Sequence, residues 1–184
     1  MPKQLKIVPE RCSACRSCEV VCPLVNEGEL NPNRSRIAVL SFIEKNHQLP
    51  YNFPSTCKQC ADAPCLSACP VNAIFQTEDG MKKIGIDYET CIGCGTCVRA
   101  CPFGAMLFDR EQKAPFKCEL CDGDPACAAI CPTEAIVFVQ QKPFYSKVPS
   151  LQMKGFSMLH QRNTANIRKK KTKPDGEGEV VTLK

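Results

Sequence analysis

Tryptophan is absent from this sequence, histidine occurs twice and tyrosine three times, and no apolar run approaches the length of a membrane span. Each shortage excludes something. Two histidines, no nucleophile motif and no phosphate loop leave little machinery for substrate chemistry. So few large apolar side chains make an ordinary hydrophobic core hard to fill in a chain of 184 residues. The amino terminus, Met1-Pro2-Lys3-Gln4-Leu5, carries neither an apolar export segment nor a twin-arginine pair, so the chain reads as cytoplasmic. Thiols stay reduced in that compartment, which bears on the one residue type present in excess, the sixteen cysteines.

The cysteines fall into four runs, each closing on Cys-Pro. They read Cys12-x2-Cys15-x2-Cys18-x3-Cys22-Pro23, Cys57-x2-Cys60-x4-Cys65-x3-Cys69-Pro70, Cys91-x2-Cys94-x2-Cys97-x3-Cys101-Pro102 and Cys118-x2-Cys121-x5-Cys127-x3-Cys131-Pro132. In a bacterial ferredoxin run, three thiolates from one loop cap one face of a 4Fe-4S cluster, and the fourth reaches across to the cluster of the partner run. Eight disulfides are disfavoured in a reducing compartment. Zinc sites use two separated Cys pairs rather than a third cysteine nearby and a fourth before proline. All sixteen cysteines are therefore candidate ligands, and four [4Fe-4S] clusters are the implied cofactors. Gly93 and Gly95 allow the backbone angles such a loop demands, and the closing proline fixes the exit angle and donates no N–H. Clusters at the centre couple folding to loading, so the cluster-free chain is expected to be largely unfolded. The formal charge of +5 is misleading as a nucleic-acid signal. At roughly −2 per oxidised cluster with its thiolates, the loaded chain comes to about −3.

The segments around the runs predict an α+β fold. Residues 5–8 form a strand ahead of the first run, and Ala73-Ile74-Phe75 and Ile84-Gly85-Ile86 flank a turn at Glu78, Asp79 and Gly80. A strand is expected over residues 103–108, and another over residues 135–139 where a last strand would pair with the first. Runs one and four then form an outer ferredoxin-like unit, with runs two and three nested inside it over residues 53–110. This nesting groups Cys12, Cys15 and Cys18 with Cys131; Cys118, Cys121 and Cys127 with Cys22; Cys57, Cys60 and Cys65 with Cys101; and Cys91, Cys94 and Cys97 with Cys69. Sequential pairing would instead trap the insertion at residues 23–56 inside one unit. Lys58, Gln59, Arg99 and Lys117 are candidates for shifting a cluster's potential, set against the plainer expectation that a cationic loop residue is exposed.

The insertion is turn-rich at first, then predicts a strand over residues 36–43 that either pairs within the protein or docks on a partner. His47 reads as a solvated loop residue. A cluster domain over residues 1–140 gives way to residues 141–184, an extended linker followed by an apolar group from Leu151 to Leu159 compatible with a helix. The basic run Arg168-Lys169-Lys170-Lys171 is a solvated helix end or disordered tail, or an arm for an acidic partner or a second copy. No aromatic or structured basic face supports nucleic-acid binding.

Four Cys-Pro runs, Glu29-Leu30-Asn31-Pro32, Ser35-Arg36-Ile37 and the turn Asp122-Gly123-Asp124-Pro125 resemble the four-cluster iron-sulfur subunits of the DMSO reductase class. The chain is most similar to the small subunits that accompany tungsten aldehyde oxidoreductases and related benzoyl-CoA reductases. That resemblance implies a non-catalytic electron-transfer subunit. Its partners would be a pterin-dependent catalytic subunit of the tungsten or molybdenum type and a further redox subunit or ferredoxin. A free-standing polyferredoxin and a filament joined through the tail are the alternatives.

Overall fold

The computed structural model describes residues 2–42, 51–140 and 142. His47, the end of the first insertion strand and the expected tail helix with its basic run lie outside the described residues. Among these residues, eight strands and four α-helices follow one another, with three short 3-10 turns between them: β1 (Lys3–Ile7), α1 (Ser17–Glu27), β2 (Ile37–Phe42), β3 (Tyr51–Thr56), α2 (Pro64–Ser67), β4 (Ile74–Gln76), β5 (Ile84–Ile86), α3 (Thr96–Ala100), β6 (Leu107–Asp109), β7 (Ala114–Phe116), α4 (Ala126–Ala129) and β8 (Ile136–Gln140). They pair as four antiparallel two-stranded sheets, β1 with β8, β2 with β3, β4 with β5 and β6 with β7. Helices α1 and α4 pack together, as do α2 and α3. Among the described residues no helix is long and apolar enough to cross a membrane.

Local chemistry explains the hairpins. Between β4 and β5 the Asp79 carboxylate accepts from the N–H groups of Met81 (3.0 Å) and Lys82 (2.9 Å), an Asx turn that replaces backbone partners. Asp109 does the same for Glu111 (2.8 Å) and Gln112 (3.1 Å) between β6 and β7. β1 and β8 are far apart in sequence, and their register sets Leu5 against Phe138 and Ile7 against Ile136. Leu5 and Ile136 then enter one core with Ile37, Val39, Leu120 and four cysteines. Ile74, Ile84, Ile86, Val98, Met106 and Phe108 make a second core, and Phe53, Phe103 and Ala105 a small third one.

The structure departs from the sequence reading at several points. The strand expected over residues 103–108 begins only at Leu107, because Phe103 and Met106 turn fully inward and Gly104 sits at φ 59°, outside the extended region. Strands β3 and β7 carry Pro54 and Pro115, residues that argue against a strand. Each lies in a two-stranded sheet, where one side of the strand needs no donor. The strand of the insertion pairs within the chain, with β3. Pro23 does not redirect the chain after the first run, since α1 continues through it to Glu27 and ends at Gly28, φ 74°. The helix is held from outside where the Glu19 carboxylate accepts the Val39 N–H at 2.6 Å, and from within where the Asn26 side chain donates to the Cys22 carbonyl at 2.7 Å.

Gln59 joins the two larger cores. Its side chain is buried, donates to the Cys118 carbonyl (2.8 Å) and accepts from the Ile84 N–H (2.8 Å). Gln59→Leu keeps the volume but strips the Ile84 N–H of its partner, while the Cys118 carbonyl keeps its bond from Lys117. The expected loss is about 2 kcal/mol, read as a lower denaturant midpoint with an unchanged slope for the anaerobically purified protein.

Candidate metal centres

The cysteines converge on four small cavities. One is lined by Cys12, Cys15, Cys18 and Cys131, a second by Cys118, Cys121, Cys127 and Cys22, a third by Cys57, Cys60, Cys65 and Cys101 and a fourth by Cys91, Cys94, Cys97 and Cys69. Each cavity takes three cysteines from one run and one from another. None of the sixteen is in a disulfide.

The same backbone device builds all four loops. The residue before the second cysteine is left-handed in every run: Ala14 (φ 58°), Gln59 (φ 47°), Gly93 (φ 64°) and Leu120 (φ 61°). Only one of these is glycine, so the other three hold a conformation that disfavours a Cβ by roughly 1–2 kcal/mol each. At Gly93 a Cβ would lie 2.2 Å from the Lys113 carbonyl oxygen, which explains the glycine there. A second left-handed residue follows the fourth cysteine by three positions in the later runs, at Asn72, Gly104 and Glu134. It turns the chain so that a backbone N–H can face sulfur, as Ala73 does to Cys69 Sγ at 3.2 Å. In the first run α1 removes that turn, and the insertion restores the contact when Arg36 N–H reaches Cys22 Sγ at 3.3 Å.

Burial pushes the Cys18, Cys65 and Cys97 thiols up to about 12, with neighbouring cysteines adding to the effect. Cys60 and Cys127 are raised further, for the same reason. Sets of thiolates are thus unfavourable in these cavities unless a cationic group is among them. Four sulfurs converging around each cavity suit a polynuclear core. N–H donors aimed at sulfur and a fully buried, cationic Lys117 beside the third cavity fit an anionic iron-sulfur group with its thiolates.

The cavities are also neighbours. Cys65 feels the charge of Cys97, Cys118 that of Cys57, and Cys127 that of Cys18, which orders the sets as Cys91–Cys57–Cys118–Cys12, each named by its first cysteine. Both ends of this row are open, since Cys94 and Cys15 are exposed. A hydrogen bond from the Ser17 side chain, then one from its backbone, holds Cys15 below the usual thiol range, and at Cys94 bonds from Thr96 outweigh burial to the same effect.

Of the four potential-shifting candidates, Arg99 is exposed and bonds Thr96. Lys58 is half-buried over the Phe53 ring, 5.4 Å from its centroid, and burial pulls it down to about 8. Gln59 and Lys117 are fully buried. Other contributors carry little or no signal in the sequence. Asn26 Nδ2 lies 3.8 Å from Cys22 Sγ and 3.9 Å from Cys121 Sγ, and its helical spacing from Cys22 was the one available clue. Arg34 bridges Glu27 and Asp109, and Arg36 bridges Glu27 and Glu119, contacts that only the folded chain brings together.

Residues 49–141 match the 4Fe-4S dicluster domain family, and residues 9–28 match a 4Fe-4S binding domain. The polyferredoxin-like subunit of an aliphatic sulfonate oxidoreductase from Pyrococcus furiosus is 44% identical over 96 residues, covering 52% of this chain and 52% of that relative. The formate dehydrogenase iron-sulfur subunit of Wolinella succinogenes is 37% identical over 103 residues, covering 55% and 48%. The chain spans about half the length of these curated relatives. A solved structure of the active-site complex BamBC of benzoyl coenzyme A reductase aligns over 91% of this chain and 95% of that one, with a TM-score of 0.43 and 22% identity.

Asn26→Leu removes a donor shared by two sulfurs of one set. The reduction potential of a single cluster should fall by roughly 40 mV, the equivalent of about 1 kcal/mol for one electron, in a potentiometric titration followed by electron paramagnetic resonance (EPR).

Proposed function

Because this chain belongs to the 4Fe-4S dicluster domain family, we propose that it is an electron-relay subunit holding four [4Fe-4S] clusters in a row between a catalytic oxidoreductase subunit and a second redox partner. The observation that carries this reading is the line of four cysteine-lined cavities, buried in the middle and open at both ends through Cys15 and Cys94. Each cavity's four cysteines are its ligand set, with the fourth drawn from the partner run. The antiparallel pairing of β1 with β8 and of β4 with β5 supports nesting of the inner runs within the outer ones, in one cluster domain over residues 1–140.

The clusters supply one-electron redox chemistry with little reorganisation. The chain's own residues do the rest. Sixteen thiolates fix the positions, the N–H groups of Ala73, Arg36 and Leu120 polarise sulfur, and apolar side chains such as Ile37, Ile84, Met106 and Ile136 keep water from the interior. No residue of the described chain is assigned a step of substrate chemistry. Substrate conversion belongs to a partner, as the subunit names of the relatives suggest.

The anaerobically purified chain should carry about sixteen iron and sixteen sulfide, whereas zinc without sulfide would overturn the relay. The ligand sets have their own test. Cys15→Ser and Cys131→Ser should alter the same EPR signal and lower iron to about twelve, while Cys69→Ser should alter the signal affected by Cys94→Ser. Loss of different signals within either pair would refute the nesting.

A further inference from the structure

Lys117 is out of place for a lysine. It sits between β7 and the fourth run with 0% of its surface exposed. Its Nζ donates to the Cys118 carbonyl at 3.0 Å, and the same carbonyl accepts from Gln59 at 2.8 Å, so the ammonium is fixed by its surroundings and cannot swing to solvent. Among the described residues no carboxylate pairs with it. A buried ammonium without a counter-ion is costly, and the groups able to neutralise it are the thiolates of the cavity it lines, those of Cys57, Cys60, Cys65 and Cys101.

Among the described residues, the other cavities have no fully buried cation without a carboxylate partner. Beside the Cys118 set, the charge of Arg36 is met by Glu27 and Glu119. Beside the Cys12 set, Arg16 is exposed and paired with Glu19. The Cys91 cavity is lined by apolar side chains, glycine and its own cysteines, and Arg99, whose charge reaches Cys94, is exposed and screened by solvent. Half-buried Lys58 adds a second cation to the Cys57 cavity. Asp62 opposes it at Cys60, from an exposed position where solvent screens it.

We propose that Lys117 is the residue that sets the order of potentials along the row, making the interior cluster held by Cys57, Cys60, Cys65 and Cys101 the first of the four to be reduced. This rests on the relay reading above. Adding one electron to that cluster makes the centre more negative with no bond made or broken, and a fixed cation in a dry cavity favours the reduced form. An electron entering at either open end therefore comes to rest at an inner position, next to the end carrying Cys94.

The test uses the loaded protein with iron and sulfide counted first, so that absence of clusters, which would refute the relay, is distinguished from failure of the lysine assignment. Potentiometric titration followed by EPR is compared for the natural chain, Lys117→Met and Lys117→Arg. In Lys117→Met the reduction equilibrium of one cluster should shift at least tenfold toward the oxidised form, about 59 mV for one electron, and the other three should move less. Lys117→Arg, which keeps the charge, should stay within threefold. In the natural protein, independently of any lysine variant, the first signal to appear on reduction should be the one altered by Cys65→Ser. The proposal is overturned if that first signal survives Cys65→Ser, or if Lys117→Met loads four clusters and moves none of them. It is also overturned if the cluster that moves is one that Cys65→Ser leaves intact.

Discussion

Thiolates crowded into an apolar cavity repel one another and lose their hydration, and much of this structure can be understood as the means of collecting them for a group that offsets both penalties. The thiols of Cys18, Cys65 and Cys97 are held well above their ordinary range by desolvation, so gathering sixteen cysteines has no benefit until iron and sulfide enter. The left-handed backbone at Ala14, Gln59 and Leu120 adds to the cost of the bare fold. Three modest apolar cores do not suggest a large reserve to meet it. Ligation is the term that makes the architecture favourable, consistent with strands of three to six residues and helices of four or five outside α1.

Because ligation fixes spacing in the sequence, the cysteine runs were the most legible part of the chain. Cys-Pro endings and the flanking apolar triplets placed β4, β5 and β8 close to where they lie. Reading failed where the determinant sits elsewhere in the chain. The sequence reading has no strand at β3 or β7, each of which carries a proline, Pro54 or Pro115, that its single neighbour tolerates. The stretch from Phe103 to Met106 looked extended from its apolar character, but those side chains fold inward around Gly104. The left-handed positions were expected of glycine and are filled in three runs by alanine, glutamine and leucine, held by the loop as a whole. Lys117 resembles any surface lysine in its local sequence, whereas the fold places it on a cavity lined also by Ile84, Phe103 and Met106.

The insertion shows the same dependence on distant contacts. Its first half extends α1 past Pro23, which would leave Cys22 without the backbone donor that Cys69 receives from Ala73. Arg34 and Arg36 bring the chain back. Their ion pairs with Glu27, Asp109 and Glu119 are partly shielded, at 14–22% side-chain exposure for the arginines, so they are screened less than surface pairs. The backbone of Arg36 then reaches Cys22 Sγ. One short segment thus serves both as a bracket between the first run and β6 and as part of a cluster pocket.

The pairing of β1 with β8 also has a bearing on synthesis. The first strand leaves the ribosome with its partner more than a hundred residues away, and Cys12, Cys15 and Cys18 wait equally long for Cys131 to enter their cavity. The hairpin of β4 and β5 and the sulfur sets around it draw only on residues up to Cys101. Contacts between near neighbours in sequence form sooner than those that close a long loop. The middle of the chain can therefore take shape during translation, and the segment around β1, though made before it, is among the last to be enclosed.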